Sequence, residues 1–258
     1  MKKIRFTLLM AAIASVVTFS SCLNTDDDSN YPMYRSVVTV GPSAFQLYSD
    51  NGSVLRPTQS SLAAMSGLAS AERSIVAFDM ADESLQGKEL EPNKEYDVIL
   101  RAGAKIPTAK TVDLYNNSPA DTLVKNMDPI ESLNKSSVYG RFGYLNAELS
   151  FSFKPSVTWT MNAYYNSEKD VDVKNRKFTM TLCYDKRTNE NYQTGVSLFS
   201  FRMPSEVKYN FMDAGLSSTD SVDVVLRYKL SSFGSSEENS FQEVKTKMAL
   251  SDFNSRRY

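Results

Sequence analysis

The chain of 258 residues has no histidine, only two cysteines and one tryptophan, and its 29 Lys and Arg nearly cancel its 30 Asp and Glu. Each shortage closes off some chemistry. Without His there is no Ser-His-Asp or Cys-His nucleophile system, no imidazole acid or base, and no His-ligated metal. A formal net charge of -1 leaves no basic footprint for nucleic acid. Two cysteines are too few for a disulfide framework. The apolar run from Phe6 to Phe19 rises only about 21 Å as a helix, short of a hydrocarbon core of roughly 30 Å. Neither a cofactor nor a metal is expected.

What is there begins with a processing signal. Met1-Lys2-Lys3-Ile4-Arg5 is a basic start, and the apolar run after it has the length of a secretory core. The run ends in Phe19-Ser20-Ser21-Cys22, which resembles a bacterial lipobox, although that pattern prefers Leu where Phe19 stands. In a lipobox Cys22 becomes the lipidated first residue of the mature chain. The alternative is a soluble export signal followed by a chance cysteine. With Cys22 lipidated only Cys183 remains, so no intramolecular disulfide is possible; its strand-like surroundings predict a buried or half-buried thiol rather than a nucleophile. Loss of residues 1–21 removes Lys2, Lys3 and Arg5, leaving 26 basic against 30 acidic groups, a net charge of -4. Residues 22–33, with Asp26-Asp27-Asp28, read as a disordered acidic tether. The acidic cluster also resembles the surface-export signal of Bacteroidota lipoproteins.

The body carries two stretches of β-type pattern. The first, 34–116, holds five or six short strands, the content of a small closed barrel. Asp50-Asn51-Gly52 between two of them is a hairpin turn, because Asn and Gly accept positive φ. Leu62, Met65 and Leu68, spaced by three, predict a short helix over one barrel end. Residues 117–137, with Pro119 and Pro129, read as a linker, with helical turns near Leu123 and Leu133. The second stretch, 138–258, alternates more cleanly. Leu149/Phe151/Phe153, Val157/Trp159/Met161, Phe178/Met180/Leu182/Tyr184 and Val222/Val224/Leu226/Tyr228 each share a face. Six or so such strands predict an antiparallel sandwich. Between Val196 and Met203 the apolar phase changes at Leu198/Phe199, which predicts a bulge. The fold class is all-β, a small barrel followed by a β-sandwich.

Three short motifs carry a resemblance. Ser49-Asp50-Asn51-Gly52-Ser53-Val54-Leu55-Arg56-Pro57 is similar to the aspartate-glycine hairpin of the NigD-like lipoproteins of Bacteroidota. Glu72-Arg73-Ser74-Ile75-Val76-Ala77-Phe78 matches that family's arginine-led strand, and Gly143-Tyr144-Leu145-Asn146 its aromatic-aliphatic-Asn motif. The resemblance implies an OB-like N-terminal barrel and a C-terminal sandwich. It implies no catalytic residue.

Ser-x-x-Lys occurs at Ser132/Lys135 and Ser205/Lys208, and about two such spacings arise by chance among 35 Ser and 17 Lys. Asp170-Val171-Asp172-Val173-Lys174-Asn175 alternates acids as a calcium loop does, but lacks its Gly and terminal Glu and carries a repelling Lys. It reads as a solvated loop. Asp82/Glu83 and Glu237/Glu238 are adjacent acids with nothing to separate their pKa values. Trp159, Tyr164 and Tyr165 are candidates for stacking on a glycan, against the plainer reading of an aromatic core. Asp121-Thr122-Leu123 and Asp220-Ser221-Val222 match a three-residue Bacteroidota O-glycosylation signal, with Thr122 and Ser221 as acceptors.

The expected function is that of an outer-membrane lipoprotein, anchored at Cys22 and facing the cell surface, which acts as a non-enzymatic interaction module. Its partner would be an envelope protein or polysaccharide, not nucleic acid. The alternative is an anchor or accessory subunit of a fimbrillin-like surface fibre; a carboxylate-based glycan hydrolase comes third.

Overall fold

A computed structural model describes residues 34–254 except 43–45, 66, 69, 116–126, 189–192 and 232–240. Cys22, Thr122 and the Glu237/Glu238 pair lie outside the described residues. The described chain forms two compact units that divide at Pro107/Thr108.

The first unit is a closed barrel. Its strands are β1 (Tyr34–Val40), β2 (Leu47–Ser49), β3 (Val54–Pro57), β4 (Arg73–Met80) and β5 (Glu95–Lys105). Their order is β1-β2-β3-β5-β4, with β4 returning to β1 and β3 running parallel to β5. A closed five-stranded barrel agrees with the small barrel expected of this stretch. Alternate residues point inward, so Val76, Phe78 and Met80 of β4 meet Tyr96, Val98 and Leu100 of β5 in the core. A register shift at Ala77/Phe78 lets the long β4–β5 pair curve around the barrel. The short helix α1 (Leu62–Met65) follows β3, and Met65 and Leu68 plug the core, as their spacing predicts. Gly103 lets Leu68 pack close to β5: a Cβ there would lie 2.7 Å from Leu68 Cδ2, and the leucine tip would have to shift. Where β3 leaves the sheet, the buried Ser61 hydroxyl replaces the missing strand: it accepts from Leu100 N at 2.8 Å and donates to Val98 O at 3.3 Å.

The second unit is a sandwich. One sheet contains β15 (Phe241–Ala249), β14 (Ser221–Lys229), β12 (Lys177–Asp185), β10 (Thr160–Tyr165) and β7 (Thr111–Asp113) in that order, with β11 (Val171–Asp172) also on β12. The other runs β6 (Thr108–Ala109), β13 (Gln193–Arg202), β9 (Tyr144–Phe153), β8 (Ser132–Arg141). Phe151 is the hub of the core between them, 5.0–5.7 Å from the ring centroids of Phe153, Trp159, Tyr184 and Phe199.

Several expectations need correction. The sandwich is mixed, not wholly antiparallel: β7–β10, β6–β13 and β12–β14 are parallel pairs. β6 and β7, expected in the barrel, pair with sandwich strands, because alternation shows a strand but not its partner. The expected linker holds structure from Met127 onward. Met127 and Ile130 are buried, and Asp128 and Ile130 bridge to Tyr184 and Leu230. β8 then begins at Ser132, so Leu133 stands on a strand rather than a helical turn. β8 looked like a loop because it is a largely exposed strand with polar residues on both faces.

The bulge expected in β13 is absent: Gln193 to Arg202 pair with Phe153 to Tyr144 in unbroken register. The phase change has another origin. Phe199 and Phe201 face the core, while Val196 and Leu198 are apolar residues on the opposite face. Helix α2 (Ser205–Asp213) was not foreseen; only Val207 and Phe211, one turn apart behind Pro204, are buried on it.

Candidate functional site

In the barrel, two sequence motifs converge on one feature. Arg73 opens β4 with a side chain 0% exposed, and its charge is met by Asp50 at the β2–β3 turn, itself 12% exposed. The pair is bidentate: Nη1 donates to Oδ1 at 2.7 Å and Nη2 to Oδ2 at 2.5 Å. Nη1 also donates to Thr39 Oγ1 at 2.8 Å. Gly52, at φ +98°, closes the turn by donating to Ser49 O. The guanidinium therefore holds the hairpin against β1 and β4.

Beside this hairpin lies a broad groove of about 510 Å³ lined by Tyr34, Asn51 and Gly87 to Leu90. Tyr34 stacks on Phe78, its partner across β1–β4, at 5.4 Å and 11°. Its hydroxyl donates to the carbonyls of Leu85 and Lys88, at 3.0 and 2.8 Å. Asn51 Nδ2 donates to Leu90 O at 3.0 Å. These bonds fasten the β4–β5 loop to β1 and to the hairpin. Lys88 and Glu89 bring charges of opposite sign to the groove's lining. The groove is shallow and open to solvent.

The groups singled out in the sequence serve structure elsewhere. Cys183 is buried on β12 with Sγ 3.6 Å from Met127 Sδ, and burial pushes its thiol up to about 12. Asp172 caps its turn through Asn175 N and Nδ2, at 3.0 and 2.7 Å, and these bonds lower its pKa. Asp170 accepts from Asn166 N at 2.8 Å, and burial raises its pKa. Among the described residues no group of three acids or cysteines converges as metal ligands do. Ser132 and Lys135, three apart on a strand, cannot share a face. Asp82 accepts from Ser84 N at the start of a 3-10 turn.

Trp159, Tyr164 and Tyr165 do not make one platform. Adjacent residues of β10 point to opposite faces. Tyr165 is 4% exposed and packs edge-on against Phe178, while Tyr164 looks the other way. Trp159 belongs to the Phe151 cluster. Ser221 is exposed at the start of β14, opposite Ala249. Nothing along the chain marks the groove, whose walls meet only through tertiary pairing. Its one legible part was the Asn51 turn.

The buried acids set a pH limit. Cys183 rises from near 9 to about 12, and Tyr165 from near 10 to about 12, first through burial and then through Asp113 and Glu206. Both pKa values are raised on folding, so their stabilisation is complete below the unfolded values and is lost as pH climbs from about 9 toward 12. The unfolding free energy from urea titration should fall over that window, by up to about 1.4 kcal/mol per pH unit for each group. Cys183→Ala should flatten the fall between pH 9 and 10. An unchanged slope would contradict the assignment.

No protein-family model matches the chain, and no curated protein does. Solved structures do match. A NigD-like immunity protein of Bacteroides caccae ATCC 43185 aligns with a TM-score of 0.52, covering 86% of this chain and 99% of its own, at 14% identity. The chain has the NigD-like fold. A protein of Parabacteroides distasonis ATCC 8503, provisionally named as toxin-related, aligns at TM-score 0.57 and 18% identity, covering 85% and 94%. A protein of Bacteroides fragilis NCTC 9343, provisionally named a lipoprotein, aligns at 0.54 and 11%, covering 84% and 97%. The motifs that carried the NigD-like resemblance hold structural positions here. The hairpin and the arginine-led strand meet in Asp50–Arg73. Asn146 of the third is wholly buried, accepting from Ser200 Oγ at 2.6 Å.

Proposed function

We propose that this chain is an envelope lipoprotein, anchored in the outer membrane through Cys22 and carrying its barrel and sandwich at the cell surface as a non-enzymatic interaction module. The observation that carries the reading is the Phe19-Ser20-Ser21-Cys22 sequence behind a basic, apolar leader. The acidic residues Asp26 to Asp28 supply a spacer and an export signal. The NigD-like fold supports it, since one structure that shares the fold is named a lipoprotein and others are named for immunity and toxin relation. Those names fit the binding of another protein better than catalysis. The barrel groove between Tyr34, Asn51 and the β4–β5 loop is the place for a small contact; its nearby groups are already committed to holding the fold.

Fractionation tests the anchor. Cys22→Ala should move the chain from the membrane pellet to the soluble envelope fraction, with the fold unchanged. Continued membrane association would contradict the anchor. Protease added to intact cells should remove the body, and a body that survives would place it on the periplasmic side.

A further inference from the structure

Sheet edges are hazards, because unpaired backbone groups invite a second strand, and proteins defend them with charge, bulges or brevity. Three of the four sandwich edges show such defences. β15 carries Glu243, Lys245 and Lys247; β7 is three residues long and ends in Asp113. β8 carries Lys135 and a register shift between Asn134 and Tyr139. The fourth edge differs. β6 pairs only with Ser200 and Phe201 of β13, so β13 runs past it from Gln193 to Phe199. Among the described residues this stretch, Gln-Thr-Gly-Val-Ser-Leu-Phe, has no charge, no proline and unbroken register with β9. Its outward side chains are Thr194, Val196 and Leu198, and Val196 is 41% exposed. This is the same apolar outer stripe that imitated a phase change in the sequence.

We infer that this edge pairs with the same edge of a second copy of the chain, antiparallel about a two-fold axis, joining two four-stranded sheets into one. Self-pairing suits it because a two-fold axis sets each strand against itself, so any charge would face its own sign nearby. An uncharged strand escapes that penalty. With the axis at Val196, Val196 opposes its own copy and Thr194 opposes Leu198, so the apolar stripe continues across the junction. The neighbouring face carries two acids, each held within its own sheet: Glu148 on β9, opposite Leu198, accepts from Asn134 Nδ2, and Glu131 accepts from Ser152 Oγ, opposite Thr194. A foreign extended segment would use the same backbone groups, but nothing in the strand selects one.

The test uses the full chain in membranes and in detergent. Opposed Cα atoms of an antiparallel pair lie about 4.5–5.5 Å apart, within the roughly 4.4–6.8 Å that a disulfide spans. Under mild oxidation Val196→Cys should give a reducible dimer in several-fold higher yield than Tyr209→Cys, an exposed site on α2. The wild type should sediment as a dimer, and Val196→Lys as a monomer with its thermal midpoint kept. A monomeric wild type, equal cross-linking at both cysteines, or a dimer that survives Val196→Lys would overturn the inference. If Val196→Lys fails to fold, the cysteine comparison still decides. These outcomes do not depend on where the protein is anchored.

Discussion

Asp50→Ala is expected to destabilise the barrel by about 3–5 kcal/mol, because it leaves the wholly buried Arg73 guanidinium without its counter-charge. The loss exceeds that of the exposed pairs on the same unit. Arg56–Glu95 and Lys94–Glu91 join side chains about half exposed, where water screens the attraction, and each is worth roughly 0–1 kcal/mol. Arg73, by contrast, is 0% exposed, so the loss of Asp50 is screened little, while Thr39 Oγ1 keeps its bond to Nη1. Removing both charges should hurt less. Asp50→Leu with Arg73→Met keeps the volume and takes away the desolvated ion, so the double variant should recover much of the loss. Urea titration with hydrogen exchange at barrel amides measures each term. A loss below about 1 kcal/mol for Asp50→Ala would show that the pair does not hold the hairpin.

Phe151→Ala carries the second large effect, about 3–5 kcal/mol in the sandwich. The ring sits 2% exposed on β9, edge-on to Trp159, Tyr184 and Phe199. Its loss removes the transfer energy of the ring and leaves a void that large, rigid neighbours cannot close. Edge-to-face contacts add further to that sum. Trp159 gives a separate readout: its fluorescence should shift as water reaches the void. Phe151→Leu should cost less, because it refills part of the volume. Equal losses for Leu and Ala would mean that ring geometry, not volume, dominates the site.

The sequence made some of this legible and hid the rest for identifiable reasons. The turn at Asp50-Asn51-Gly52 was readable because positive φ limits which residues can stand there, and Gly52 does adopt φ +98°. β9, β12 and β14 were readable because one face is packed and alternation follows. β8 was not, since an exposed strand has no apolar period to display. The partner strands of β6 and β7 were hidden because pairing is a long-range choice that a short β-type pattern leaves open. Arg73 and Asp50 were each visible in a motif, but nothing along the chain says that a guanidinium will meet a carboxylate 23 positions away. Trp159, Tyr164 and Tyr165 are close in sequence, yet the two-residue period of a strand separates the last two onto opposite faces. At β13 the pattern was seen and misread, because two apolar faces on one strand look like a strand that changes phase.

The central claim is the lipid anchor, and mass spectrometry of the mature N-terminal peptide tests it most directly. The expected result is a chain that begins at Cys22, with residues 1–21 gone and diacylglycerol on the cysteine sulfur. A free Cys22 thiol, or a leader still attached, would contradict the account.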